Sequence, residues 1–185
     1  MRRCKFIKRY ENSLPLFTRY QIESQIETAY QREVKLESGG SIVIDDAEAL
    51  VAIDINSSKA TSGKDIEETA THTNLEAARE ISRQLRLRDI GGLVVIDFID
   101  MESVKKQQSL LTKLKQELAK DKTRTQVFEV SRLGLVEMTR KNVAAGLIET
   151  FSEDCEECDG RGLIINDIFS NNSQENNILE SQAVV

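Results

Sequence analysis

The chain has 185 residues, enough for one compact domain with tails or for a domain with a small accessory module. Apolar residues make up 39% and charged residues 30%, which supports one modest core beneath a heavily solvated surface. Acidic residues outnumber basic ones by 31 to 25, giving a formal net charge of -6. That is the wrong sign for a protein that grips a polyanion through its overall field. No apolar run reaches the roughly 18 residues of a membrane span. The N-terminus is basic (Arg2, Arg3, Lys5, Lys8, Arg9), but no apolar stretch follows, so it is not a secretory signal.

In chain order, residues 18–33 read as a helix, with Ile22, Ile26, Ala29 and Tyr30 at helical spacing. Ser38-Gly39-Gly40 punctuates the chain. Two strands are expected next, Ser41 to Asp45 and Glu48 to Asn56. The second is almost continuously apolar, which suggests burial on both faces. Residues 66–87 read as a long helix with Ile66, Ala70, Thr73, Ala77, Ile81 and Leu85 on one stripe. Asp65 is its expected N-cap, with Glu67 and Glu68 in the first turn, where the helix dipole favours them. A third strand spans Leu93 to Ile99. A second amphipathic helix covers 102–119, with Val104, Gln107, Leu111, Leu114 and Leu118 in register, and Thr125 to Val130 forms another strand.

The order strand-helix-strand-helix-strand implies an α/β fold with parallel strands. Beyond Gly162 the chain is rich in Asn, Ser and Gln and reads as a disordered tail over 164–185. There is no internal repeat.

Asp54 and Asp97 are the first chemical candidates. Each lies in an apolar strand near its carboxyl end, where ligands bind in parallel α/β sheets. A lone buried carboxylate is costly unless it is paired or metal-bound. Two carboxylates brought together there would repel unless a cation lay between them, and Mg²⁺ suits such a site because it takes few carboxylates and keeps several waters. Asn56, two residues beyond Asp54, projects from the same strand face. The plainer reading is that each Asp caps the loop or helix after it. Asp100, three residues past Asp97 and so on the other face, reads only as an N-cap.

Cys155 and Cys158, in Cys155-Glu-Glu-Cys158-Asp-Gly160-Arg-Gly162, form the second candidate. With Cys4 they make an odd count, a poor disulfide framework. A close pair suits a reducing compartment and a metal better than a bridge. Zinc needs four ligands and no second knuckle is present, so the pair is incomplete, redox-active, or half of a site completed by another chain. His72, the single histidine, reads as a solvated or partly packed helix residue. Arg83, Arg86, Arg88, Lys122 and Arg124 could meet phosphates, but most read as wet helix faces; Arg124, just before a strand, is the one weak RNA-binding candidate.

The stretches SGGSIVIDDAEALVAIDINSSKATSGKDIEET, TNLEAAREISRQLRLRDIGGLVVIDFIDM and SRLGLVEMTRK resemble the deoxyribonuclease I-like subdomain of the ribonuclease E/G family. The likeness runs from about Leu14 to Gly162. It implies four segments: 1–37 as the end of a ribonuclease H-like subdomain, 38–151 as the deoxyribonuclease I-like catalytic subdomain, 152–163 as a zinc-link and 164–185 as the tail.

The resemblance further implies a cytoplasmic Mg²⁺-dependent endoribonuclease of RNA processing and decay. It would hydrolyse single-stranded RNA to 5′-phosphate and 3′-hydroxyl ends. Asp54 and Asp97 would hold Mg²⁺, and Asn56 would orient the scissile phosphate or the attacking water. Cys155 and Cys158 would share one Zn²⁺ between two protomers, whose dimers pair into tetramers in full-length members. Two departures stand out. Glu156 occupies the place where the family usually has proline, and the S1 RNA-binding module, 5′-monophosphate sensor and small dimerisation domain are missing. The alternative is therefore an inactive or truncated zinc-linked fragment, and the C-x-x-C alone would permit a thiol redox module.

Overall fold

The computed structural model describes residues 8–57, 63–153, 155–158, 160, 162 and 163, with only the backbone for 63–65. The expected tail over 164–185 and Cys4 lie outside these residues. The chain divides after Phe151 into two compact units. Among the described residues no helix is long and apolar enough to cross a membrane.

The first unit begins with two short helices, α1 (Leu16–Arg19) and α2 (Ile22–Tyr30), where one helix over 18–33 is expected. The break is local: Gln21 adopts a left-handed backbone with φ 51°, which ends one helix and starts the next. Of the expected apolar stripe only Ala29 is buried, and Ile26 and Tyr30 are exposed.

A six-stranded sheet follows, made of β1 (Glu33–Lys35), β2 (Ser41–Asp46), β3 (Val51–Asn56), β4 (Gly92–Asp97), β5 (Thr125–Val130) and β6 (Val136–Arg140). Its spatial order is β1-β2-β3-β4-β6-β5. Only β3 and β4 run parallel as neighbours; the other four pairings are antiparallel. The expected run of adjacent parallel strands is thus corrected to a mixed sheet. Two of the antiparallel pairings come from β6, which turns back from β5 through 131–135 and inserts between it and β4, and the other two from β1 and β2 at the opposite edge. Gly134, at φ 85°, and the Ser131 amide accepted by Leu135 (2.8 Å) close that turn.

Two helices cover one face of the sheet: α3 (Gly63–Leu87), which crosses over from β3 to β4, and α4 (Val104–Leu118). Ala70, Ala77, Ile81 and Leu85 from α3 and Leu110, Leu114 and Leu118 from α4 join Ile42, Ile53, Val94, Ile96 and Met138 in one core. Each fully buried Ile or Leu side chain there contributes about 1.5–3 kcal/mol. The stripes are narrower than their periodicity suggests: Ile66, one turn into α3, and Val104, the first residue of α4, are 53% and 63% exposed. Leu110 takes the core place expected for its neighbour Leu111, which is only partly buried. Helix α3 starts two residues before Asp65, so Asp65 lies in its first turn instead of capping it.

The other face of the sheet is open. Along β3, Val51, Ile53 and Ile55 point into the core while Ala52, Asp54 and Asn56 are exposed, and β6 alternates in the same way. The expectation that β3 is buried on both faces is therefore corrected. Its apolar run owes its length to Ala52, a small residue that is tolerated on the exposed side.

The end of α3 is held by charge as well as by packing. Asp89, in a left-handed conformation (φ 51°), terminates the helix, and the Ile90 amide reaches back to the Leu85 carbonyl at 3.0 Å. Arg140 of β6 has a side chain only 3% exposed and pairs with Asp89 (2.9 Å) and Asp121 (3.0 Å). It also donates to the Ile90 carbonyl at 2.7 Å. Arg88, a phosphate candidate by sequence, is instead buried, donating to Gln84 Oε1 (2.9 Å) and the Gln31 carbonyl (2.8 Å). The short helix α5 (Leu147–Phe151) is tied to this corner by the Leu147 amide, which donates to the Arg88 carbonyl at 2.9 Å.

Candidate metal and nucleic-acid site

The parallel pairing of β3 with β4 sets Asp54 directly opposite Asp97. Neighbouring strands lie about 4.8 Å apart, so the two carboxylates leave adjacent strands at the same level and on the same exposed face. Both residues end, or nearly end, their strands, at the carboxyl edge of the sheet. Asn56 follows on the same face and its Nδ2 donates to Asp54 Oδ2 at 3.1 Å. All three sequence candidates thus converge in one open pocket, lined also by Ser57, Ile99 and Asp100. They are exposed, and that changes the basis on which sequence had singled them out. The carboxylates are not buried; they stand in register on an open face, with the Asn56 amide bonded to Asp54.

Two close carboxylates with an amide beside them fit a hard cation that retains much of its water. Among the described residues no group of three His, Cys, Asp or Glu is gathered tightly enough to form a closed cage.

The backbone beneath the site is held from behind. Asn74 of α3, fully buried, donates from Nδ2 to the Ile99 carbonyl at 2.7 Å and accepts from the Ile99 amide at 3.0 Å. Thr71 Oγ1 meets Met101 Sδ at 3.6 Å, Gln107 Nε2 donates to the Met101 carbonyl at 2.7 Å, and Glu67 accepts from the Ser103 amide at 3.3 Å. The loop that leaves β4 at Asp97 is thus fastened at every second residue from 99 to 103. On the β3 side, Gly40 is required by close approach: a methyl there would lie 2.6 Å from the Asn56 carbonyl oxygen.

Asp100 is not the cap expected of it. Helix α4 starts at Val104 with Ser103 in the cap position. Asp100 lies in the loop and lines the same pocket as Asp54 and Asp97. Strand parity, which set it on the opposite face, no longer applies once β4 ends at Asp97. Sequence reasoning also missed Asn74, whose polarity inside an apolar helical stripe was the available signal.

Arg124 is exposed and adjoins a separate pocket with Gly92, Gln126, Thr139 and Lys141. Gly92 and Asp97 are the two ends of β4, so Arg124 sits toward the opposite edge of the sheet from the carboxylates, roughly 17 Å along six strand residues. His72 is exposed, as expected, and neighbours Glu76, Arg79 and Lys113.

Cys155 and Cys158 lie in the second unit. Cys155 is exposed and Cys158 half-buried, both as free thiols. Backbone amides of Cys158 and Glu157, followed by the Cys158 thiol, hold the Cys155 thiol below its ordinary pKa. The Gly162 amide donates to Cys158 Sγ at 3.3 Å, with Gly160 and Gly162 both at positive φ to turn the chain back over the sulfur. The amides at Cys155 favour its thiolate, the form that binds metal. The knuckle supplies two of the four ligands that a tetrahedral zinc needs.

The profile of the Ribonuclease E/G family matches residues 1–143. Over 158 residues, 85% of this chain, the sequence is 57% identical to ribonuclease E of Escherichia coli and 55% identical to that of Haemophilus influenzae. It is 39% identical to ribonuclease G of Escherichia coli over the same length. The chain spans only 15%, 17% and 32% of these three relatives. With the profile covering most of its length and the motifs around Asp54 and Asp97 inside the match, the chain belongs to the ribonuclease E/G family.

Proposed function

We propose that this chain carries the metal-binding cleavage centre of an endoribonuclease acting on single-stranded RNA in RNA processing and decay. The observation that supports it best is the register of Asp54 against Asp97, with Asn56 bonded to Asp54, at one open sheet edge. Mg²⁺, when bound, supplies charge neutralisation at phosphorus and an activated water. Asp54 and Asp97 hold the ion. Asn56 commits one amide hydrogen to Asp54, which keeps that carboxylate in place and leaves the amide oxygen to orient the attacking water or the nucleotide. The open face admits a strand, and attack in line leaves a 5′-phosphate and a 3′-hydroxyl. On this reading the fold is the deoxyribonuclease I-like subdomain, with residues before 38 ending a ribonuclease H-like one.

Cys155 and Cys158 supply half of a Zn²⁺ site shared with a second chain, which makes a homodimer; in longer members, dimers pair into tetramers. The working compartment is the cytoplasm, where thiols stay reduced.

Net charge of -6 opposes RNA binding, so turnover by the chain alone is expected to be slow. The test is single-turnover cleavage of an AU-rich oligonucleotide with the chain in large excess, with and without Mg²⁺. Slow Mg²⁺-dependent cleavage that disappears in Asp97→Asn supports the centre, and cleavage that survives in Asp97→Asn contradicts it. No cleavage at saturating chain favours the alternative, an inactive zinc-linked fragment.

A further inference from the structure

Strands β3, β4 and β5 all run the same way, because β6 is antiparallel to both β4 and β5. The turn from β5 to β6 therefore stands at the same sheet edge as Asp54 and Asp97. Ile96 pairs with Val136, and the next positions along those strands are Asp97 and Leu135. The turn also meets the loop after β4: a methyl on Gly134 would lie 3.6 Å from Asp100 Oδ1. It is tightly tied. Ser131 Oγ accepts from the amides of Leu133 (3.3 Å) and Leu135 (3.2 Å), and the Gly134 amide donates to the Ser131 carbonyl at 3.0 Å. At its tip, however, Arg132 is exposed and Leu133 is 83% exposed, so these bonds hold out two side chains that add nothing to the core.

The charge at the carboxylate pocket calls for a cation beyond the metal. Asp54 and Asp97 together cancel one divalent ion, and Asp100 adds a further negative charge. No Lys or Arg is among the described residues that line this pocket. A phosphodiester brings another negative charge, and arginine answers the charge at phosphorus in other phosphoryl-transfer sites, where its planar fork takes two phosphate oxygens at once. Lys106, near the start of α4, is engaged with Glu67 at 3.4 Å. Arg132 takes part in no ion pair among the described residues. Leu135 lies about 5 Å across from Asp97 and the turn bends back within three residues, which puts the Arg132 backbone roughly 10 Å from Asp97, within the combined span of an arginine and a phosphate.

We propose that Arg132, presented by the β5–β6 turn, binds the phosphate of the RNA strand that lies at Asp54 and Asp97 and offsets the charge that grows there during attack. The inference rests on the proposed cleavage centre, which identifies the anion as RNA phosphate. The tight turn sets where the guanidinium starts from, and the exposed tip leaves it free to reach the strand.

The test is an anisotropy titration of a labelled AU-rich oligonucleotide with the full chain in Mg²⁺ over a range of KCl. Each phosphate neutralised on a single strand adds about 0.7 to the slope of log affinity against log salt. Arg132→Ala should lower the slope by about that amount. Arg132→Lys should restore it, and Lys105→Ala, which removes an exposed cation on α4, should leave it unchanged. Mg²⁺ affinity by calorimetry should be no weaker in Arg132→Ala. The single-turnover cleavage rate should fall about hundredfold in Arg132→Ala and recover only in part in Arg132→Lys, which lacks the fork. If the native chain cuts too slowly to time, the slopes decide alone. An unchanged slope in Arg132→Ala, with RNA and Mg²⁺ both bound, would overturn the role of Arg132 and leave the metal centre standing. An equal loss in Lys105→Ala would overturn it too, because it would mark a diffuse field instead of one contact. A native chain that binds Mg²⁺ but no RNA at low salt would overturn both Arg132 and the RNA reading. A slope that depends on Arg132 in a chain that binds no Mg²⁺ would overturn the metal reading instead.

Discussion

The buried side chain of Asn74 and the backbone of Ile99 bond each other in both directions: one hydrogen bond runs each way, at 2.7 and 3.0 Å. This clamp fixes the first turn of chain after β4, two residues beyond Asp97. Replacing Asn74 with Ala leaves an amide and a carbonyl buried without partners, at a cost of about 2–4 kcal/mol. Urea unfolding of Asn74→Ala should show that loss. The folded variant should also bind Mg²⁺ more weakly, while Ser82→Ala, which removes a buried hydroxyl elsewhere on α3, should leave Mg²⁺ binding unchanged.

Arg140 has four hydrogen-bond partners, and two of them, Asp89 and Asp121, are carboxylates. Burial pushes the Asp121 carboxyl upward, but the Thr123 amide and Arg140 outweigh it and the net pKa is lowered. Removing one partner of a buried pair strands the other charges. Arg140→Met should therefore destabilise the first unit by about 3 kcal/mol or more, measurable as a drop in the denaturation midpoint. A loss below about 1 kcal/mol would show that water replaces the guanidinium there.

Glu117, buried on α4, takes hydrogen bonds from Lys113 (2.8 Å) and Lys120 (2.5 Å), which lower its pKa from 4.5 to about 2. A lowered carboxylate stabilises the fold at pH above 4.5, and the contribution fades as pH falls from 4.5 toward 2. Thermal unfolding between pH 7 and pH 2.5 should show a smaller decline for Glu117→Gln than for the native chain. Parallel declines would contradict the assignment.

Cys155 and Cys158 lead to a stoichiometry. Two thiolates per chain close a tetrahedral site only when two chains meet, so about one zinc per two protomers is expected. Metal analysis with sedimentation should find a dimer that a chelator dissociates. Cys155→Ser with Cys158→Ser should give a monomer whose first unit still unfolds cooperatively, because its core ends before Ser152. One tight zinc per monomer would contradict the shared site.

Much of this was legible in the sequence, and the failures share a cause. Helices α3 and α4 and strands β2 to β5 announced themselves through apolar periodicity, and the paired Asp residues through matching places at strand ends. Strand β6 did not, because Val136-Glu-Met-Thr-Arg140 ends in an arginine that is buried only by virtue of Asp89 and Asp121, residues distant in sequence. Without β6, β4 and β5 looked like adjacent parallel strands. Asp100 was misread because its face was counted along a strand that had already ended, and β1, three residues long, is too short to show a period. Arg88 looked like surface because its partners, Gln84 and the Gln31 carbonyl, come from one helix turn and from a remote loop.

The central claim is that Asp54 and Asp97 hold one divalent ion between them. Calorimetric titration of Mg²⁺ or Mn²⁺ into the native chain, Asp54→Asn, Asp97→Asn and the control Asp46→Asn tests it most directly, independently of RNA affinity. The expected result is one site per chain, weakened at least about tenfold by either of the first two changes and unaffected by the third. Equal divalent affinity in the native chain, Asp54→Asn and Asp97→Asn would contradict it.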